Sequence, residues 1–242
     1  MKQSISTVEI TKAIENLHDG VVLDEAFPDR PDGSKIADFL IESTGLVIEL
    51  KIIESDFLTP KKFHRLLDEV LREFDIPEWY ANEVVMGVSE EFKKPRSQFW
   101  RKLSRPAKDI VSNAKKQLQA TKDLLGSRYN HGVLFVGVDG APEADFGMIQ
   151  SLFMHHLSQR HSETVEAMLL FSASREYRFE NGSRGSIGTT AYAPDRTFLR
   201  EVIEPLIPHI KDAIDEIVGR ASRSEFVRVT GELEKRIRPI AT

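Results

Sequence analysis

The sequence predicts an α/β fold, a β-sheet flanked by helices, and three observations carry that expectation. The stretch ADFLIESTGLVIELKII, residues 37–53, reads as two short apolar strands around a polar turn. Segments with apolar residues at helical spacing stand on either side of it, at 3–17 and 59–74. The run 133–138 is continuously apolar and is closed by Asp139-Gly140, the pattern of a strand buried on both faces.

Each element has its own justification. Ile5, Val8, Ala13, Ile14 and Leu17 form one apolar stripe of a first helix, which ends before His18, Asp19 and Gly20. Residues 21–27 suit a strand, and PDRPDG (28–33) is a loop by its proline and glycine content. Thr59 and Pro60 are an N-cap and a first helical residue, followed by an apolar face of Phe63, Leu66, Leu67, Val70, Leu71 and Phe74. Residues 84–88 read as a short strand, and a basic helix is expected over 107–125, stopped by Gly126. A helix at 146–160 and a strand at 165–172 follow. Asn181-Gly182, a type I′ turn sequence, joins 175–180 to 187–192 as a hairpin. Asp195 caps a helix reaching 219, interrupted near Pro205 and Pro208, and a last helix covers 223–237. The apolar residues of these C-terminal helices, Leu199 to Ile217, cover the core or form the seam of a homodimer or larger complex; core covering is the default expectation.

Composition excludes several classes. With 40% hydrophobic and 29% charged residues in 242, the chain is globular rather than disordered. It has no cysteine, which rules out disulfides and thiolate metal sites. The N-terminus lacks the apolar core of a signal peptide, and no apolar run approaches the roughly 18 residues that would span a bilayer, so a cytoplasmic protein with no membrane partner is expected. The net charge of −5 argues against coating nucleic acid by bulk attraction, but it conceals an asymmetry. Between Lys93 and Lys122 there are ten Lys/Arg against the single acid Asp109, a local +9 that leaves −14 for the other residues.

The first stretch carries three charges inside its apolar runs. With Glu42-Ser43-Thr44-Gly45 as the turn and Ile41 facing Leu46, Asp38 falls opposite Glu49, and Lys51 projects on the same side as Glu49. The other side, from Ala37 and Phe39 to Leu50 and Ile52, is wholly apolar. Opposed side chains on paired strands have Cβ atoms about 4.5–5.5 Å apart, so two carboxylates there need a proton or a cation. A hard divalent ion, Mg²⁺ or Mn²⁺, accepts such oxygen ligands and keeps positions for water and phosphate. Lys51 could then stabilise developing negative charge or help to deprotonate an attacking water.

The pattern Asp38, ten residues, Glu49-Leu50-Lys51, on a hairpin after an N-terminal helix and strand, resembles the PD-(D/E)XK nuclease superfamily. The resemblance covers roughly residues 5–138. It implies a restriction-endonuclease-like core with a central mixed β-sheet over 1–140, and leaves 141–242 as a C-terminal extension, with its hairpin and helices, that packs on or continues that core. It also implies a Mg²⁺-dependent nuclease hydrolysing phosphodiester bonds, in which Asp38 and Glu49 bind the metal and Lys51 assists catalysis. DNA is the expected substrate more than RNA, again from the resemblance. Some branches add a glutamate from the first helix as a ligand; Glu9, eleven residues before Gly20, is the better match and Glu15 the reserve. Some also bring a glutamine or lysine from the following helix towards the site, which points to Gln117, with Lys115 and Lys116 beside it. A literal Pro31-Asp32 exists, but it sits in the glycine-containing loop, and the aspartate that pairs across to Glu49 is Asp38.

The basic segment supplies the expected nucleic-acid contacts: Lys93, Lys94, Arg96, Arg101, Lys102, Arg105, Lys108, Lys115 and Lys116. Within it, Phe99 and Trp100 could stack on an unpaired base, although Trp100 reads first as core. His155, His156 and His161 lack zinc-site spacing and are read as structural or surface groups, with 155 and 156 diverging on a helix. Gly182, Gly185 and Gly188 lack the context of a dinucleotide-binding loop. The alternative to an enzyme is a catalytically inactive nuclease fold serving as a nucleic-acid-binding or defence-complex subunit.

Overall fold

The structure is a computed structural model, and it describes residues 19–29, 35–53, 59–138, 146–159, 164–172, 177–178, 184–185, 187–192, 197–209, 227–228 and 238–239. The expected helix at 3–17, with Glu9 and Glu15, lies outside the described residues, as do Asp32, His161 and Asn181-Gly182.

The chain enters through strand β1 (Gly20–Val22), where a strand through 27 was expected; Leu23–Ala26 instead form a helical turn, α1. Pairing stops there because the neighbouring strand β2 (Phe39–Ile41) is only three residues long. Four turn residues lead to β3 (Leu46–Ile53), in the register Phe39↔Ile48, Leu40↔Val47, Ile41↔Leu46 that the sequence predicts. Gly45 closes this turn at φ +65°, a left-handed conformation that favours glycine, and its N–H donates to the Ile41 carbonyl at 2.9 Å.

Helix α2 (Pro60–Glu73) begins as expected, with the Thr59 side chain accepting from Lys62 N at 3.2 Å and proline in the first turn. Leu67, Val70 and Leu71 are its buried residues, and Phe63, Leu66 and Phe74 pack partly buried beside them. The strand expected at 84–88 is corrected to a short helix, α3 (Ala81–Val85). There Val84 is fully buried while Met86 and Val88 are exposed, so alternate positions do not share a face as they would in a half-buried strand.

Helix α4 (Lys93–Leu125) is 33 residues long and starts well before the expected position 107. Pro95 sits in its first turn, where no N–H is needed, and the helix continues through Pro106. It ends as expected at Gly126, which has φ +57°. Then come β4 (His131–Val138), α5 (Phe146–Gln159) and β5 (Ala167–Ser172), all near their expected places. Tyr177–Arg178 (β6) pairs antiparallel with Arg184–Gly185 (β7). Ile187–Tyr192 (β8), expected as the return arm of that hairpin, pairs antiparallel with β5 instead. The helix expected from Asp195 is, in its described part, a turn at Thr197–Leu199, helix α6 (Arg200–Ile203) and helical residues 206–209, broken at Pro205. Val227–Arg228 (β9) pairs with β8, and Arg238–Pro239 (β10) with β6, so 227–228 are extended where a last helix was expected.

The result is α/β, with a mixed seven-stranded sheet in the order β1-β2-β3-β4-β5-β8-β9 and a small sheet β10-β6-β7. The pairs β3/β4, β4/β5 and β8/β9 are parallel; β1/β2, β2/β3 and β5/β8 are antiparallel. Strands from the C-terminal hundred residues therefore continue the same sheet. Side-chain alternation divides the core between its two faces. Leu46, Ile48, Leu50, Val133 and Phe135 pack with Leu199 and Ile203, so the described part of the C-terminal helical region covers the core. Val47, Leu134, Val136, Met168 and Leu170 pack on the other face with residues of α2, α4 and α5. Glu49 lies on this second face by alternation, two residues from Val47 and paired with Leu134.

Candidate metal and catalytic site

Backbone bonds hold Asp38 in place from both sides. Its N–H donates to the Ile48 carbonyl of β3 at 3.1 Å, and its carbonyl accepts from Leu23 N at 3.0 Å. Asp38 stands one residue before the β2/β3 ladder, where its N–H goes to Ile48, already the partner of Phe39, and its side chain lies close enough to Glu49 for the two carboxyls to interact. Its carboxylate Oδ2 also accepts from the Leu50 N–H at 2.7 Å, which fixes the side chain against β3. Approaching Asp38, the chain passes beneath α4, where Ala37 N donates to Thr121 Oγ1 at 2.7 Å and Gln117 Nε2 donates to the Ile36 carbonyl at 3.0 Å.

Glu49 is completely inaccessible to solvent, which is rare for a glutamate. The Lys51 ammonium forms an ion pair with its Oε1, yet neither Glu49 oxygen receives a hydrogen bond of regular geometry. Burial, and then the charge of Asp38, push Glu49 up to about 8, with Lys51 opposing. Asp38 is raised as well, chiefly by burial, against the Leu50 N–H and Lys51, with Asp24 adding to the rise. Two carboxyls thus meet, Glu49 fully buried and Asp38 partly exposed, beside one half-buried lysine. A buried carboxylate without a regular hydrogen bond, next to a second carboxylate, is a donor set that suits a hard divalent cation.

Asp38, Glu49 and Lys51 come together in the structure, while Gln117 is spent on the backbone two residues before Asp38. Among the described residues no group of three or more histidine, aspartate or glutamate side chains could hold a metal. Sequence reasoning missed Asp24 and Thr121. Asp24 was assigned to a strand, which hid its position on α1 near Asp38; Thr121 gave no signal beyond its place in a helix.

The nominated basic residues separate into four groups. Lys93, Lys102 and Arg105 form ion pairs with Glu90, with Glu69 and Glu73, and with Asp109. Arg96 donates to the Glu83 and Ser89 carbonyls and braces the loop before α4. Arg101, Lys108, Lys115 and Lys116 line a groove of about 1170 Å³ between α4 and α5, and Lys94 is simply exposed. None of Asp38, Glu49, Lys51 and Gln117 lines that groove. Trp100 packs partly buried against the core, donates from Nε1 to the Val85 carbonyl at 3.1 Å, and also borders the groove. His155 and His156 do not diverge as expected: their rings meet edge-on at 5.1 Å, and both face the groove.

Compared with known proteins, the chain matches no family model, no curated protein and no solved structure. No described helix is long and apolar enough to cross a membrane.

Proposed function

We propose that this protein is a metal-dependent nuclease of the PD-(D/E)XK type, with a restriction-endonuclease-like core, acting on DNA more than RNA. The observation that carries this reading is the buried Glu49 carboxylate, lacking a regular hydrogen-bond partner and facing Asp38 with Lys51 beside it. Asp38 and Glu49 would hold Mg²⁺ or Mn²⁺, with Glu9 as the proposed further ligand. When bound, the ion supplies polarisation of a phosphoryl oxygen and activation of water. Water adds to phosphorus, the bond to the leaving sugar oxygen breaks, and that oxygen takes up a proton. Lys51 stabilises the charge that develops on the phosphoryl oxygens. Gln117 acts as a positioning residue, through the Ile36 carbonyl and hence the chain leading to Asp38. The preference for DNA rests on the family resemblance alone.

The test is incubation with plasmid, single-stranded DNA and RNA in Mg²⁺ or Mn²⁺, against EDTA. Cleavage that needs the metal and disappears in Lys51→Ala, with nucleic-acid binding retained, supports the enzyme. Binding without turnover under every metal condition favours the inactive nuclease-fold subunit instead.

A further inference from the structure

The groove between α4 and α5 is not part of the carboxylate site, yet its lining carries four lysine and arginine side chains against one acid. Its α4 wall carries Arg101, Lys108 and Lys115, all exposed and spaced seven residues apart. At 3.6 residues per turn and 1.5 Å per residue, that spacing makes one stripe of cations about 10 Å apart along the helix. Lys116 adds a fourth positive charge, against the single acid Asp123. The ion pairs of α4 engage Lys93, Lys102 and Arg105, not this stripe. Positions 115 and 117 are about 200° apart around a helix. The stripe therefore points away from the side on which Gln117 reaches the chain before Asp38.

The opposite wall differs in kind. It presents the His155 and His156 rings, with Trp100 bordering the groove from α4. Cations at regular intervals facing planar rings are suited to a phosphate backbone with unstacked bases. A cleft between two neighbouring helices, whose axes pack about 8–10 Å apart, is too narrow for a duplex.

We propose that the α4/α5 groove binds a single strand of nucleic acid, its phosphates along Arg101, Lys108 and Lys115 and its bases towards the rings, at a site separate from the catalytic carboxylates. The inference shares with the proposed function only the premise that the ligand is nucleic acid.

The experiment is fluorescence anisotropy of labelled oligo-dT and oligo-rU, about fifteen nucleotides long, in EDTA so that no cleavage proceeds. The triple variant Arg101→Ala, Lys108→Ala, Lys115→Ala should bind at least about tenfold more weakly. Its slope of log affinity on log salt should be shallower by about 2, since each phosphate contact on a single strand contributes about 0.7. The charge-retaining variant Arg101→Lys, Lys108→Arg, Lys115→Arg should restore binding. Removing three cations from other elements, Arg65, Arg72 and Arg200, should leave it nearly unchanged. Unaltered affinity in the groove triple at an unchanged melting temperature, an equal loss in the control triple, or no affinity of the wild type for either strand each overturns the inference. Cleavage that persists while the groove proves irrelevant sinks only this inference; groove binding without metal-dependent cleavage sinks only the nuclease reading.

Discussion

Without divalent metal, the fold should weaken as pH rises, because Glu49 must ionise beside Asp38 in a place closed to water. Its folded value is about 8 against an ordinary 4.5. Below the ordinary value, glutamate is protonated in both folded and unfolded chains and no penalty arises. Between the two values the unfolded chain releases a proton that the folded chain keeps, so stability falls with pH by up to about 1.4 kcal/mol per unit. Across the window the loss is on the order of 3–5 kcal/mol, a large share of a typical domain's stability. Asp38, also raised, contributes with the same sign. A cation that binds only the folded, ionised pair should reverse the trend, by about 2.7 kcal/mol at a hundredfold excess over its dissociation constant. The assay is urea unfolding followed by circular dichroism from about pH 5 to 8.5, in EDTA and in Mg²⁺, on the wild type and on Glu49→Gln. The variant serves as the reference for histidine titrations in the same range, and should show a flatter pH profile and little response to Mg²⁺. A wild-type profile in EDTA that overlays the variant's would refute the reasoning.

Other consequences are equally specific. Lys51→Ala should lower cleavage by at least about a hundredfold, the scale of losing one electrostatic catalytic group, while Mn²⁺ titration still registers a bound ion. Gly45→Ala should destabilise by about 1–3 kcal/mol in thermal unfolding, because the added Cβ would sit at positive φ, 2.6 Å from Asn130 Nδ2 and 2.9 Å from the Arg128 carbonyl. Phe135→Ala, which empties a fully buried position on the C-terminal-helix face, should cost about 3–5 kcal/mol without changing the salt dependence of nucleic-acid binding. Thr121→Val should cost about 1–3 kcal/mol in urea unfolding by leaving the buried Ala37 N–H unmatched, and should lower metal-dependent cleavage, since that bond steers the chain into Asp38.

The centre of the sheet was legible in the sequence because strand period and turn length are local properties. A four-residue loop ending in glycine left one register for Phe39–Ile41 against Leu46–Ile53, and Asp38, one residue before that ladder and held by the Leu50 N–H, comes next to Glu49. What local pattern could not show was cover. The Asp38–Glu49 side of the sheet is itself packed, by α2, α4 and α5, which is why a glutamate there is fully inaccessible rather than merely facing a cleft. The length of α4 was hidden by Pro106, whose disruption of the helix is local and is absorbed. The partner of Ile187–Tyr192 was missed for another reason: Asn181-Gly182 favours a hairpin, but the exposed edge of β5 offers a six-residue mate. The basic segment looked uniform as a string of letters. Helical geometry distributes it among acid-paired cations, a loop brace and one stripe facing a groove.

The most direct measurement is the anomalous scattering of crystals soaked in Mn²⁺. An ion bonded to carboxylate oxygens of both Asp38 and Glu49, at about 2.0–2.3 Å, with Lys51 no longer paired to Glu49, is the expected result. Saturating Mn²⁺ that leaves the pair without an ion, and Glu49 still held by Lys51, would contradict the account.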